Sequence, residues 1–269
     1  MLISIRHITR YTYAQPVGYA IQSLRLTPAS FTGQRVIDWQ VRTPGFGPAL
    51  QFKDGFGNVV HLATINTPHQ EVVIEAVGTV ETADCSGVVA GLPNNSPCRV
   101  FLRETAHTRP DAAMRELAAS AKGEDMLDRL HALAGSVRDR VDYEVGSTDA
   151  HTDAVQALAD GKGVCQDHAH IFISAARTLG VPARYVTGYL VLGEQSRSEA
   201  HHAWAEAWVD GLGWVGFDVA NRVCPTERYV RLAVGLDADG AAPVVGSRRG
   251  GKNEVLDVAV DVREQNAQQ

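Results

Sequence analysis

The chain has 269 residues, 45% of them apolar, and a formal net charge of -6. That length and apolar share leave room for more than one buried core. The acidic balance argues against nucleic acid or an anionic membrane as partner. No apolar run approaches the roughly 20 residues of a membrane span, and residues 1–10 lack the basic-then-apolar pattern of a secretory signal. The four cysteines, Cys85, Cys98, Cys165 and Cys224, are too few and too scattered for a disulfide scaffold. Reduced thiols in a cytoplasmic setting are therefore expected, with a Cys85–Cys98 bridge left open.

The first hundred residues read as strands. Residues 2–13 are rich in β-branched and aromatic side chains, and Pro16 and Gly18 break the run. Further strands are expected at 21–27, 36–41, 50–53, 59–65 and 71–80, with Asp54-Gly-Phe-Gly-Asn58 as a hairpin turn. Short strands with regular turn chemistry suggest a small antiparallel sandwich. Nothing in this part converges like a site, so a structural or substrate-presenting module is expected.

Composition changes near 105–110. Residues 111–122 read as a helix opened by Pro110. Met126, Leu127, Leu130, Leu133, Ala134, Val137 and Val141 recur in steps of three and four, the face of an amphipathic helix. A short helix follows with Thr152 as its expected N-cap. Gly161 and Gly163 end it, and 164–179 is a buried helix stopped by Gly180 and Pro182. Strands are expected at 183–192, 202–209 and 214–219. The tail then reads as a helical stretch near 227–234, a polar loop at 246–251 and a last strand at 255–262.

The chemistry concentrates in Gly161-Lys-Gly-Val-Cys-Gln-Asp-His-Ala-His170, where a glycine-bearing loop enters an apolar helix. Only a thiolate attacks well, and a helix N-terminus or a nearby imidazolium favours it. The free N–H groups of that first turn are also donors for an oxyanion. In 202–209, strand alternation puts His202, Trp204, Glu206 and Trp208 on one face and three alanines on the other. Asp210-Gly-Leu-Gly213 turns the chain back, and pairing Trp208 with Trp214 makes Asp218 a diagonal neighbour of His202. A carboxylate there orients the imidazole. Cys165, His202 and Asp218 are the expected nucleophile, base and orienting group, with Gln166 and Asp167 as supporting candidates. Asp167 is expected to brace the helix start.

These motifs, with Leu179-Gly-Val-Pro-Ala-Arg-Tyr-Val-Thr-Gly-Tyr189, His202-Ala-Trp-Ala-Glu-Ala-Trp208 and Gly213-Trp-Val-Gly-Phe-Asp218, resemble the bacterial branch of the transglutaminase-like superfamily. The resemblance covers about residues 110–262. The strand-rich first part is similar to the N-terminal domain that often precedes this core in bacterial members. It implies an α+β protein: an antiparallel β-sandwich-like domain over 1–105, then a papain-like core over 106–269. It implies a Cys-His-Asp site but leaves the reaction open, because the superfamily includes acyl-transferring cross-linkers, peptidases, deamidases and inactive members. The cross-linking enzymes place a tryptophan upstream of the cysteine to hold the oxyanion. No tryptophan lies between Trp39 and Trp204 here, and Tyr143 is the candidate substitute. No Asp/Asn-rich calcium loop is visible. Thiol-dependent hydrolysis of a peptide or carboxamide is the preferred expectation. An acyltransferase and a non-catalytic binding module are the alternatives.

Other residues are assigned plainer roles. His168, His170, His201 and His202 invite a zinc site, but positions 168 and 170 face different sides of a helix, and no metal or cofactor is expected. Glu206 is expected as a neighbour of His202 or as a buried ion-pair partner, the tryptophans as packing, Arg248-Arg249 as solvated, and Cys224 as structural. A peptide or protein substrate is expected.

Overall fold

The computed structural model describes residues 1–43, 50–93, 96–191 and 201–265. Position 192, the expected end of one strand, lies outside them. The chain opens with β1 (Leu2–Thr27), β2 (Gln34–Arg42), β3 (Leu50–Lys53), β4 (Val59–Ile65), β5 (His69–Thr82) and β6 (Val88–Val89). A 3-10 turn at Cys98–Leu102 leads to α1 (Ala112–Ser120), α2 (Met126–Arg140), β7 (Asp142–Tyr143), α3 (Ala154–Asp160), β8 (Lys162–Gly163) and α4 (Cys165–Thr178). Then follow β9 (Ala183–Leu190), β10 (His201–Val209), β11 (Gly213–Phe217), β12 (Tyr229–Gly235), α5 (Ala238–Ala241), β13 (Val244–Gly250) and β14 (Glu254–Glu264).

Among the described residues, three sheets result. The first has the order β2-β5-β1-β4-β3, with β13 and β14 also paired to β1. The second runs β12-β9-β10-β11-β6, and β7 and β8 form a short parallel pair. β1 is one strand rather than the two expected. Its ladders shift register between Thr12 and Val17 and between Val17 and Tyr19, so Pro16 and Gly18 bulge the strand without ending it. Its first half pairs with β5 and β14, its second half with β4 and β13.

The first sheet is not a self-contained sandwich. Ile3, Ile5, Leu24, Val72 and Ile74 pack in one cluster with Tyr189, Val230 and Leu232 of β9 and β12. The second sheet thus supplies the missing layer. The tail also departs from the expected split at 105/106. β13 and β14 return to β1, while β6, from the first part, pairs with β11.

Three local expectations are corrected. The stretch 227–234 is a turn followed by strand β12 from Tyr229, not helix; all seven residues of β12 are buried, so no polar face reveals a period of two. The polar segment 246–251 falls largely in β13, an exposed strand held by backbone pairing to β1. α3 is capped by Asp153, which accepts from Gln156 N at 2.8 Å, whereas Thr152 accepts from Asp149 N at 3.1 Å.

The second core lies between the second sheet and the helices. Ala203, Ala205 and Ala207 of β10 turn the expected small-residue face onto α4, and α1, α2 and α3 cover the rest of that helix. α4 is therefore buried from Asp167 to Arg177. Arg177 is held by backbone carbonyls of Phe101, Ala183 and Leu236 and by Thr108 Oγ1.

Candidate active site

Cys165 is the first residue of α4 and is partly exposed. The loop into it is fixed by several contacts. β7 and β8 pair Asp142 with Lys162 and Tyr143 with Gly163. Asp167 Oδ2 accepts from Val164 N at 2.8 Å and from Thr148 Oγ1 at 2.6 Å, which caps the helix. Gly163 has to be glycine, because a Cβ there would lie 2.7 Å from Asp167 Cβ and 2.8 Å from Oδ2. His168, fully buried, faces Val164 O at 2.8 Å and Val141 O at 3.0 Å, tying α4 to the end of α2, and Tyr143 stacks on its ring.

His202 and Asp218 come from adjacent strands. β10 and β11 pair Trp208 with Trp214, the expected register. Asp218 follows β11 in a bridge to Val223. His202 Nε2 meets Asp218 Oδ2 at 2.6 Å, and Cys165 lies near enough to the ring to act on its charge. With Nε2 engaged, Nδ1 is the ring nitrogen left for the sulfur. The three residues singled out in the sequence are thus brought together.

Two further residues complete the carboxylate's shell. Asn221 Nδ2 donates to Asp218 Oδ2 at 2.7 Å and its backbone N donates to Oδ1 at 3.2 Å. Tyr229 O–H donates to Oδ2 at 2.7 Å. Sequence reasoning missed both. Asn221 sits in the turn three residues past Asp218, a usual place for a side-chain amide to bond the turn. Tyr229 was hidden by the helical assignment of its segment.

The electrostatics follow from this shell. Burial pushes the His202 imidazolium down, but the hydrogen bonds and charges of Asp218 and Cys165 outweigh it and hold the ring up at about 10. Burial would raise the Asp218 carboxyl. The His202 contact, with Asn221 and Tyr229 donating, keeps it below the ordinary carboxylate range. Burial first, and the Asp218 charge second, push the Tyr229 phenol up.

The remaining candidates fall as follows. Gln166 is partly exposed, next to Cys165 in the first turn of α4. Glu206, on the His202 face, is a buried ion-pair partner: Arg184 Nε reaches it at 2.6 Å and Arg231 Nε at 2.8 Å. Trp204 packs edge-on against Tyr229, and Trp208 against Trp214. His170 Nε2 accepts from Ala238 N at 3.0 Å, and His201 Nε2 lies 2.9 Å from Thr187 Oγ1, so these rings are engaged within the protein. Arg248 bonds Glu254 at 2.9 Å at the surface. Cys85 and Cys98 are both free thiols.

The site thus combines a cysteine at a helix mouth with a His–Asp pair at one end of an antiparallel sheet. The match to known proteins is more specific. Residues 115–219 match the transglutaminase-like superfamily and residues 3–81 match the bacterial transglutaminase-like N-terminal region. The chain belongs to the transglutaminase-like superfamily. It is 32% identical to an uncharacterised protein of Mycobacterium leprae, covering 95% of this chain and 96% of that one. A Mycobacterium bovis protein, also uncharacterised, is 28% identical, covering 96% and 91%. A solved structure described as a "Putative Cysteine Protease" from Cytophaga hutchinsonii superposes with a TM-score of 0.78 at 22% identity, covering 100% of this chain and 92% of that one. That likeness is one of fold. Among the described residues, no helix is long and apolar enough to cross a membrane.

Proposed function

We propose that the protein is a thiol-dependent hydrolase of peptide or carboxamide bonds. The observation that carries this is the hydrogen-bonded His202–Asp218 pair, whose ring feels the charge of Cys165 at the mouth of α4. An imidazolium held charged is the counter-ion a thiolate needs. The Cys165 sulfur attacks the carbonyl carbon, and the carbonyl electron pair moves onto oxygen. The backbone N–H groups of Cys165 and Gln166, at the mouth of α4, are the donors placed to receive that oxyanion. Collapse breaks the C–N bond as His202 passes its Nδ1 proton to the leaving amine, giving a thioester. Neutral His202 then takes a proton from water, the hydroxide adds to the thioester, and the acid leaves with Cys165 regenerated. Asp218 keeps the ring oriented throughout. Asn221 and Tyr229 hold Asp218. Tyr143, stacked on His168 beside Gly163, is a supporting residue near the oxyanion. A reducing, cytoplasmic setting suits the four free thiols.

The test compares wild type with Cys165→Ala on a peptide library and on glutamine peptides, with and without a primary amine. Hydrolysed products from wild type and none from the variant are expected. Amine-linked products would make the acceptor an amine and the protein an acyltransferase. Absence of any product from wild type would leave a binding module.

A further inference from the structure

A cavity of about 170 Å³ lies at the junction of the two sheets, lined from one side by Ser30, Lys53 and Asn58 and from the other by Arg184 and Arg231. The charged side chains that line it, among the described residues, are all cationic. The carboxylate that holds the two arginines, Glu206, does not line it. Glu206 engages only one edge of each guanidinium: Nε and Nη2 of Arg184 at 2.6 and 2.5 Å, and Nε and Nη2 of Arg231 at 2.8 and 3.4 Å. Asp54, next to Lys53, is committed to Arg25 at 3.2 Å and to Asn58 at 2.9 Å.

Two arginines under 9% exposed, sharing one carboxylate, leave an excess of buried positive charge. Such a charge is costly unless paired. Burial pushes the Arg184 guanidinium down to about 10, with Arg231 adding to that push and Glu206 opposing it. Trp214 stacks on Arg184, its ring centre 3.8 Å from Cζ, and fixes the plane of the guanidinium, so the cation is preorganised and not merely loose. Adding Lys53 gives three cations against one carboxylate, an excess of two charges.

We propose that this cavity binds a phosphate group, either inorganic phosphate or the phosphate of a monoester, between Arg184, Arg231 and Lys53. A dianion matches the excess charge, and guanidinium edges meet phosphate oxygens well. Cations arriving from three separate residues suit a tetrahedral oxyanion better than a planar carboxylate, which one fork satisfies. Ser30 Oγ accepts from Val36 N at 3.0 Å and keeps its own O–H to donate. The ligand would join Lys53 of the first sheet to β9 and β12 of the second. The site is separate from Cys165: Glu206 lies four residues along β10 from His202, about 13 Å at the usual rise per residue.

The test is titration of the full chain with sodium phosphate at about pH 8, where a phosphate group carries close to two negative charges. Ionic strength is held constant with chloride, and calorimetry and thermal melting are the readouts. A saturable heat and a Tm that rises with phosphate but not with chloride are expected. Lys53→Glu puts an opposing charge at an exposed position and leaves the Arg–Glu–Arg cluster intact, so it should fold normally and bind at least about tenfold more weakly. Arg231→Gln would strand Glu206 and risk unfolding, which is why Lys53 carries the test. A parallel titration with phosphoserine separates the sources: tighter binding than inorganic phosphate assigns a monoester, weaker binding assigns the free ion. No saturable binding of either, or equal binding by Lys53→Glu, overturns the proposal. Catalytic turnover plays no part in the readout.

Discussion

A single ring decides the chemistry at the scale of residues. His202 is buried, and burial alone would leave it neutral. Asp218 and the Cys165 sulfur reverse that and raise it to about 10. A raised imidazole contributes stability that is present in full below its ordinary value of 6.5 and lost as pH climbs through about 10. Asp218 is depressed, so its contribution is present above the ordinary carboxylate value and lost as pH falls through the lowered one. The charged pair thus spans the mildly acidic and neutral range. Iodoacetamide should therefore label Cys165 faster in wild type than in His202→Ala across the mildly acidic to neutral range. Identical profiles for the two proteins would show that the ring does not activate the sulfur. Tyr229→Phe removes one hydrogen bond to a charged acceptor, a loss of about 1.5–3 kcal/mol. If Tyr229 positions Asp218, kcat should fall about tenfold or more with KM little changed, and the acid limb of the pH profile should move up. A change in KM alone would argue for a substrate contact instead. Cys165, His202 and Asp218 were legible because each carries a local signal: a helix start, a strand alternation, a hairpin register. Asn221 carries only the weak signal of a turn amide, and Tyr229 acts from a strand buried on both faces, whose alternation is hidden.

The decisive element is the first turn of α4. Its position depends on Asp167, which caps Val164 N and is itself held by Thr148, and on Gly163, which leaves room for that carboxylate. Asp167→Ala should cost about 1 kcal/mol from the lost cap, seen as a lower urea midpoint with an unchanged m-value. Gly163→Ala is expected to be worse, since its Cβ meets Asp167 Cβ at 2.7 Å; both Tm and Cys165 labelling should drop. A Gly163→Ala protein as stable and as reactive as wild type would mean that the loop shifts freely and the cap does not fix the sulfur. The helix itself was readable from its apolar run and its glycine and proline stops. Which residue caps a helix was less so: Thr152 and Asp153 are adjacent and both competent, and the carboxylate takes the role. Strand β12 shows a different limit, because a strand buried on both faces has no alternation to read.

Across the whole molecule, chain order and spatial order differ. The sequence divides naturally where strands give way to helices, yet β13 and β14 cross back to pair with β1, and β6 reaches forward to β11. No composition change marks these returns, since a strand's partner is set by the sheet edge left open. The consequence is energetic. β14 pairs with β1 from Ile3 opposite Glu264 to Tyr13 opposite Glu254, while most of its own side chains stay exposed. Its hold is chiefly backbone hydrogen bonding along one edge, and removing it uncovers that edge of β1. The apolar face of the first sheet, in turn, is covered by Tyr189, Val230 and Leu232 of the second. The first part therefore has no closed core alone, whereas the core from Met114 to Ala241 lies wholly in the second part. A fragment of residues 1–105 should therefore fail to give a cooperative thermal transition, whereas the full chain should melt as one unit. A chain ending at residue 243 should keep the Cys165 site but melt lower and aggregate through the bared edge, as light scattering on heating would record. Independent, cooperative folding of the 1–105 fragment would show instead that the first sheet closes its own core and that the shared apolar layer contributes little.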